Sequence, residues 1–174
     1  MRIFKCTMEN LENVTEFYDK VTEYLEKNIN YPKWTHKEYP SRESVVQAIG
    51  DGSQYACEDN GRIIGAFVLN DDPQGDYSAG DWKEQLDRGE FLVIHALARD
   101  PEVCQSGLGR KMVEYCINAA KDGGYRAIRL DAVPTNIPAR RLYEGMGFSF
   151  AGERDLSRGI EDIPEFVLYE LNFI

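Results

Sequence analysis

Apolar side chains recur at three- and four-residue steps between Glu9 and Asn28. Leu11, Val14, Phe17, Tyr18, Val21, Tyr24 and Leu25 fall on one face, which predicts an amphipathic helix. Ahead of it, Arg2 to Thr7 alternates and reads as a short strand. An irregular aromatic stretch runs from Ile29 to Pro40, and Ser41 is placed to cap a second helix reaching about Ile49. Gly50-Asp51-Gly52 ends that helix. Ser53 to Glu58 and Arg62 to Asn70 read as strands joined by Asp59-Asn60-Gly61, a hairpin signal because Asn-Gly accepts positive φ at low cost.

The second half alternates strands with helices. Phe91 to Ala98 is apolar apart from His95, as expected of a central strand buried on both faces. Gly107 to Asp122 reads as a helix closed by Gly123-Gly124, then Ala127 to Val133 as a strand. A short helix follows from Pro138 to Met146, a strand starts at Phe148 to Gly152, and Phe166 to Phe173 reads as the last strand. Between Asn70 and Phe91 lies a long loop, and its Tyr77 and Trp82 argue for order rather than disorder. The 174 residues suit one mixed α/β domain spanning 1–174.

Charge narrows the choice of partner. The formal net charge is −10, the wrong sign for a sequence-independent nucleic-acid binder. A negative field concentrates cationic ligands, although acidity also simply favours solubility. Cys6, Cys57, Cys104 and Cys116 show no C-x-x-C spacing, and with only two histidines no metal site is expected. The start lacks a signal-peptide core, and no apolar run approaches the ~20 residues needed to cross a bilayer. A soluble cytoplasmic protein with reduced thiols is the expectation.

The segment from Phe91 to Gly109 joins a buried strand to Gly107-Leu108-Gly109 at a helix start. Glycines there let a ligand approach the backbone, and the helix's first N–H groups form an anion cradle. A dinucleotide fingerprint is disfavoured, because Met112 stands where a third glycine would be needed, and no Gly-Lys-Ser/Thr occurs for a P-loop. Downstream comes Asn136-Ile137-Pro138-Ala139-Arg140-Arg141-Leu142-Tyr143-Glu144-Gly145-Met146-Gly147-Phe148. Together the two segments resemble the GNAT acetyltransferase superfamily, closely from about Phe91 to Phe148 and loosely before it. The second carries every fixed position of that family's N-x-x-A-x-x-L-Y-x-x-x-G-F element.

The resemblance implies a GNAT fold: a central mixed, mostly antiparallel twisted sheet with helices on both faces. It implies acetyl-CoA as cosubstrate and direct transfer of the acetyl group to a primary amine; the long ordered loop, which would tend to close the site, favours a small molecule as acceptor. Leu97, Ala98 and Arg99 would line the pantetheine arm. Cys104, Gln105, Ser106, Gly107, Leu108, Gly109 and Arg110 would hold the pyrophosphate. Asn136 would lie near the pantetheine, Arg140 would reach a phosphate, and Tyr143 would protonate the departing thiolate. The chain departs from the family at Cys104, where Gln or Arg is usual, at Gln105, often glycine, and at Arg99, usually a small aliphatic residue.

An alkylammonium must lose a proton before attack, and His95 is the first candidate for the base. Its other reading is a hydrogen-bonded core histidine. Asp131 is the second candidate, with a cross-strand salt bridge to Arg129 or Arg126 as its other reading. Trp34, Tyr39, Tyr77 and Trp82 are candidates for an aromatic acceptor wall, or else pin loops over the core. A CoA-binding regulatory protein without turnover and a peptide or protein N-terminal acetyltransferase are the competing functions. A homodimer is common in the family, and nothing in this sequence demands one.

Overall fold

Residues 1–104 and 106–173 are described by the structure, a computed structural model. They form a mixed seven-stranded sheet with four α-helices, as the resemblance implied. In chain order these are β1 (Arg2–Lys5), α1 (Leu11–Lys27), α2 (Arg42–Gly50), β2 (Gln54–Asp59), β3 (Arg62–Asn70) and β4 (Phe91–Arg99). Then come α3 (Leu108–Asp122), β5 (Ala127–Ala132), α4 (Ile137–Glu144), β6 (Ser149–Arg154) and β7 (Phe166–Asn172). The strand order is β1-β2-β3-β4-β5-β7-β6. By contact the chain divides into two compact units, 1–69 with 95–115, and 70–94 with 116–174.

In the first unit, α1 buries Leu11, Val14, Phe17, Tyr18 and Val21 of the face its periodicity marks out, while Leu25 is partly buried and Tyr24, in the last turns, is exposed. These pack with Val45 and Ile49 of α2, Ala56 of β2, Ala66 of β3 and Ala98 of β4. Ser41 caps α2: its hydroxyl accepts from the Ser44 N–H at 3.1 Å, and its own N–H donates to Ser44 Oγ at 2.9 Å. The β2–β3 hairpin turns on Asn60 at φ 50° and Gly61 at φ 77°, the left-handed geometry that Asn-Gly permits. Gly65 is needed for another reason. A Cβ there would sit 2.6 Å from Met112 Sδ, so a larger residue would force the Met112 side chain of α3 out of its place.

In the second unit, β4 pairs in parallel with β5 from Phe91↔Ala127 to Val93↔Arg129. β5 and β6 each pair antiparallel with β7. The loop between β3 and β4 is built into this unit's core. Tyr77 and Trp82 are buried beside Phe91, Leu156 and Leu168. Trp82 Nε1 donates to Tyr77 O at 2.6 Å, and Asp81 N donates to Ala151 O at 2.8 Å. Arg129 lies between two rings, 4.2 Å from the Trp82 centroid and 4.4 Å from that of Phe91.

Candidate active site

The first unit carries the strand-to-helix segment. His95 is buried, Leu97 half-buried, Ala98 buried and Arg99 exposed along the second half of β4. Ala96, between them, has φ 48°, a left-handed conformation unusual for a residue with a Cβ. Arg99 Nη1 donates to Val103 O at 3.3 Å, so this side chain folds over the turn that follows it.

Asp100 fixes that turn. Only 1% exposed, it accepts from Lys20 Nζ at 3.0 Å and Arg62 Nη2 at 2.5 Å through Oδ2. Its Oδ1 accepts from the Glu102 N–H at 2.9 Å, and its own N–H donates to Ile64 O at 2.8 Å. Burial alone would raise the Asp100 pKa, but the Glu102 N–H and the Lys20 and Arg62 cations outweigh it and the carboxyl ends below its ordinary range. A depressed carboxyl supplies stability above its unfolded pKa of about 4 that is lost as pH falls through the folded value. Asp100→Ala is expected to cost about 2 kcal/mol and to speed amide exchange at Glu102 and Val103. Unchanged exchange there would show that the loop holds its own shape.

Beyond the turn, Cys104, Ser106 and Gly107 are exposed, and Gln105 lies outside the described residues. Gly107 has φ 79°, and no atom lies within 4 Å of where its Cβ would be. Leu108 is buried and anchors α3, while Gly109 and Arg110 lie outward of it. Lys111 N donates to Gly107 O at 3.0 Å, the first helical bond among the described residues. The N–H groups of Leu108, Gly109 and Arg110 therefore precede it, as an anion at a helix start requires.

The second unit carries the asparagine-to-phenylalanine element. Asn136 caps α4, its Oδ1 accepting from the Ala139 N–H at 3.4 Å, with Pro138 in the first turn. Arg140 donates through Nε to Tyr169 Oη at 3.1 Å and through Nη1 to Pro134 O at 2.9 Å. Tyr169 in turn donates to Glu144 Oε1 at 2.6 Å. Tyr143 is buried, its ring edge-on to Phe148 at 5.7 Å and tilted to Tyr169 at 6.4 Å. Burial chiefly, with smaller contributions from Cys116 and Asp131, holds its pKa above the usual phenol value. Asp131 pairs with neither Arg129 nor Arg126. Arg158 grips both its oxygens at 2.7 and 2.8 Å, and Tyr77 Oη donates to it at 2.7 Å.

The aromatic acceptor candidates separate. Trp34 and Tyr39 lie in the first unit, edge-on to each other at 6.0 Å, with Tyr39 exposed and Trp34 half-buried. Asn30 clasps Trp34 through both its N–H and its carbonyl, at 3.1 and 2.7 Å. Tyr77 and Trp82 lie in the second unit's core, where they hold the β3–β4 loop in place. Reading the sequence missed the partners of Asp100, the Arg158 grip on Asp131, and the buried Arg129–Glu170 pair. Of these, only the Asp100-Pro101 turn carries a local sequence signal.

Among the described residues, no cluster of three or more His, Cys, Asp or Glu could hold a metal, and no helix is long and apolar enough to cross a membrane. The family model described as acetyltransferase (GNAT) family matches residues 13–148. An uncharacterized N-acetyltransferase of Methanocaldococcus jannaschii is 26% identical over 90% of this chain. The match covers 63% of that relative's own length. A GNAT-family acetyltransferase structure from Streptococcus agalactiae 2603 superposes with TM-score 0.76 at 14% identity, covering 99% of this chain and 95% of that one. The Salmonella typhimurium protein yncA, solved with its cofactor acetyl-CoA, does so with TM-score 0.66 at 17% identity, covering 99% and 93%. With that model matching well over half of its length, this chain belongs to the acetyltransferase (GNAT) family.

Proposed function

We propose that this protein transfers the acetyl group of acetyl-CoA directly to a primary amine, most simply a small cationic amine in the cytoplasm. The observation that carries the reading is Tyr143: a buried phenol, kept protonated, in the family's cofactor-closing element. The N–H groups of Gly107 to Arg110 would serve as backbone donors for the pyrophosphate, and an open glycine at Gly107 leaves room for it. Leu97, Ala98 and Arg99 would lie along the pantetheine, and Asn136 would hydrogen-bond near it. The caps and bonds of Asn136 and Arg140 give them a structural duty that binding would have to share.

In this mechanism the acceptor ammonium first loses a proton, and His95 takes it directly or through water. The amine nitrogen bonds to the thioester carbon, and the Leu97 N–H holds the resulting oxyanion. The C–S bond then breaks as Tyr143 protonates the sulfur. The nitrogen gives up its second proton as the amide forms, and that proton restores the tyrosinate to the phenol directly or through water, while His95 passes the first proton to the solvent. The products are an amide and CoA thiol. The net charge of −10 favours a cationic acceptor in the encounter.

Thermal unfolding with acetyl-CoA tests the cosubstrate. At a hundred times its dissociation constant the ligand adds about 2.7 kcal/mol, a rise in midpoint of roughly 5–10 °C for a chain this size. No rise at millimolar acetyl-CoA would overturn the reading. A rise without CoA release from any of a panel of amines would point instead to a CoA-binding protein lacking turnover.

A further inference from the structure

We infer that Tyr18 is a positioning residue for acyl transfer: its hydroxyl fixes the Ala96–Leu97 peptide, and so aims the Leu97 N–H at the reacting carbonyl. The inference rests on the reading above and adds a residue from α1, a helix with no part in the family's cofactor motifs.

Ala96 is the starting point. It is the one residue of β4 with positive φ, 48°, and a side chain there costs of order 1–2 kcal/mol relative to ordinary strand geometry. Such a conformation persists only where the surroundings hold it. Tyr18 is what holds this one: its Oη donates to Ala96 O at 2.8 Å. The phenol ring has little freedom to let go. It is 1% exposed, and it packs edge-on against Phe17 at 5.3 Å and Trp34 at 6.5 Å. Val14, Val21 and Ala66 of the same core are apolar, and the Gln54 side chain also reaches the hydroxyl.

A trans peptide sets its C=O and the following N–H in opposite directions. With the Ala96 carbonyl drawn towards Tyr18, the N–H of Leu97 must point away from it. A donor that stabilises an oxyanion is effective only when its direction is set before the charge develops. Tyr18 therefore acts on the rate through a backbone group and touches no substrate. Burial raises its pKa, so the hydroxyl remains a donor at any pH at which the enzyme works.

The test is Tyr18→Phe, which removes one oxygen and leaves the ring packing in place. CoA release with an accepted amine gives kcat and KM, and the acetyl-CoA-induced rise in unfolding midpoint reports both folding and cofactor binding. Turnover is expected to fall by about 10- to 100-fold, short of the 10²–10³ typical of losing an oxyanion donor outright. KM for acetyl-CoA and the ligand-induced rise are expected to stay within about twofold of wild type. Adding Ala96→Gly to Tyr18→Phe is expected to recover turnover at least fivefold, because glycine adopts positive φ without strain. A general packing defect would not be repaired in this way. Turnover within threefold of wild type in Tyr18→Phe overturns the inference, and so does a matching loss of acetyl-CoA affinity. Absence of CoA release in the wild-type protein would overturn the acetyltransferase reading itself, and this inference with it.

Discussion

Tyr143→Phe is expected to lower the turnover of acetyl transfer by roughly 10²-fold while leaving acetyl-CoA binding unchanged, since a positioned general acid contributes about 10²–10⁴. Phenylalanine keeps the edge contact to Phe148 and the tilted contact to Tyr169, so α4 should hold its place. Only the proton donor is lost. The pH profile of the wild type adds a second, signed expectation. Burial, then Cys116 and Asp131, raise the Tyr143 pKa above the ordinary phenol value, and the donor is the protonated form. The donor is therefore present throughout the neutral and mildly alkaline range. The rate should climb from acid as the acceptor ammonium is titrated, and should not turn down below about pH 10, where an ordinary tyrosine would begin to ionise. CoA release by the two proteins across pH, with binding followed by thermal unfolding, measures both. A phenylalanine variant within threefold of wild type would remove Tyr143 from the mechanism.

Much of the framework could be read from local pattern. The α1 face, the Asn60-Gly61 turn and the Ser41 cap each depend on residues within a few positions of one another. The candidate site was legible as two segments for the same reason. What escaped is long-range pairing. Asp131 is two residues from Arg129 on the same strand, yet its partners are Tyr77 and Arg158, 54 and 27 residues away. Asp100 meets Lys20 and Arg62 from 80 and 38 residues away. Nothing in hydrophobic periodicity says which charge will meet which. The aromatics of the β3–β4 loop show the same limit: composition called for order there, and only the packing reveals that Tyr77 and Trp82 achieve it by burial. Ala96 is the sharpest case, because an alanine in an apolar run carries no sign of positive φ.

The same long-range pairing produces the largest expected effect on stability. Arg129 and Glu170 are 2% and 3% exposed, with Nε and Oε2 3.8 Å apart, too far for a hydrogen bond but close enough for strong attraction in a poorly screened interior. Each spends its other atoms on the β3–β4 loop. Arg129 Nη2 donates to Glu84 O at 2.8 Å, and Glu170 Oε1 accepts from the Lys83 N–H at 2.6 Å. Burial lowers the Arg129 pKa and the Glu170 charge works against that shift, so the guanidinium depends on its partner. Glu170→Ala strands a buried cation and an amide at once. Removing one member of such a pair costs about 3–5 kcal/mol. At roughly 2–4 °C per kcal/mol for a chain this size, the unfolding midpoint should fall by about 10 °C. The β3–β4 loop should also become the first site of proteolytic cleavage. Replacing both members, Arg129→Met with Glu170→Leu, removes the stranded charge along with the attraction. The double variant is therefore expected to be more stable than Glu170→Ala alone, a non-additivity that a thermal-unfolding cycle measures directly. A Glu170→Ala midpoint within 3 °C of wild type would mean that the trapped guanidinium is held by the Trp82 and Phe91 rings and the Glu84 carbonyl without need of its carboxylate.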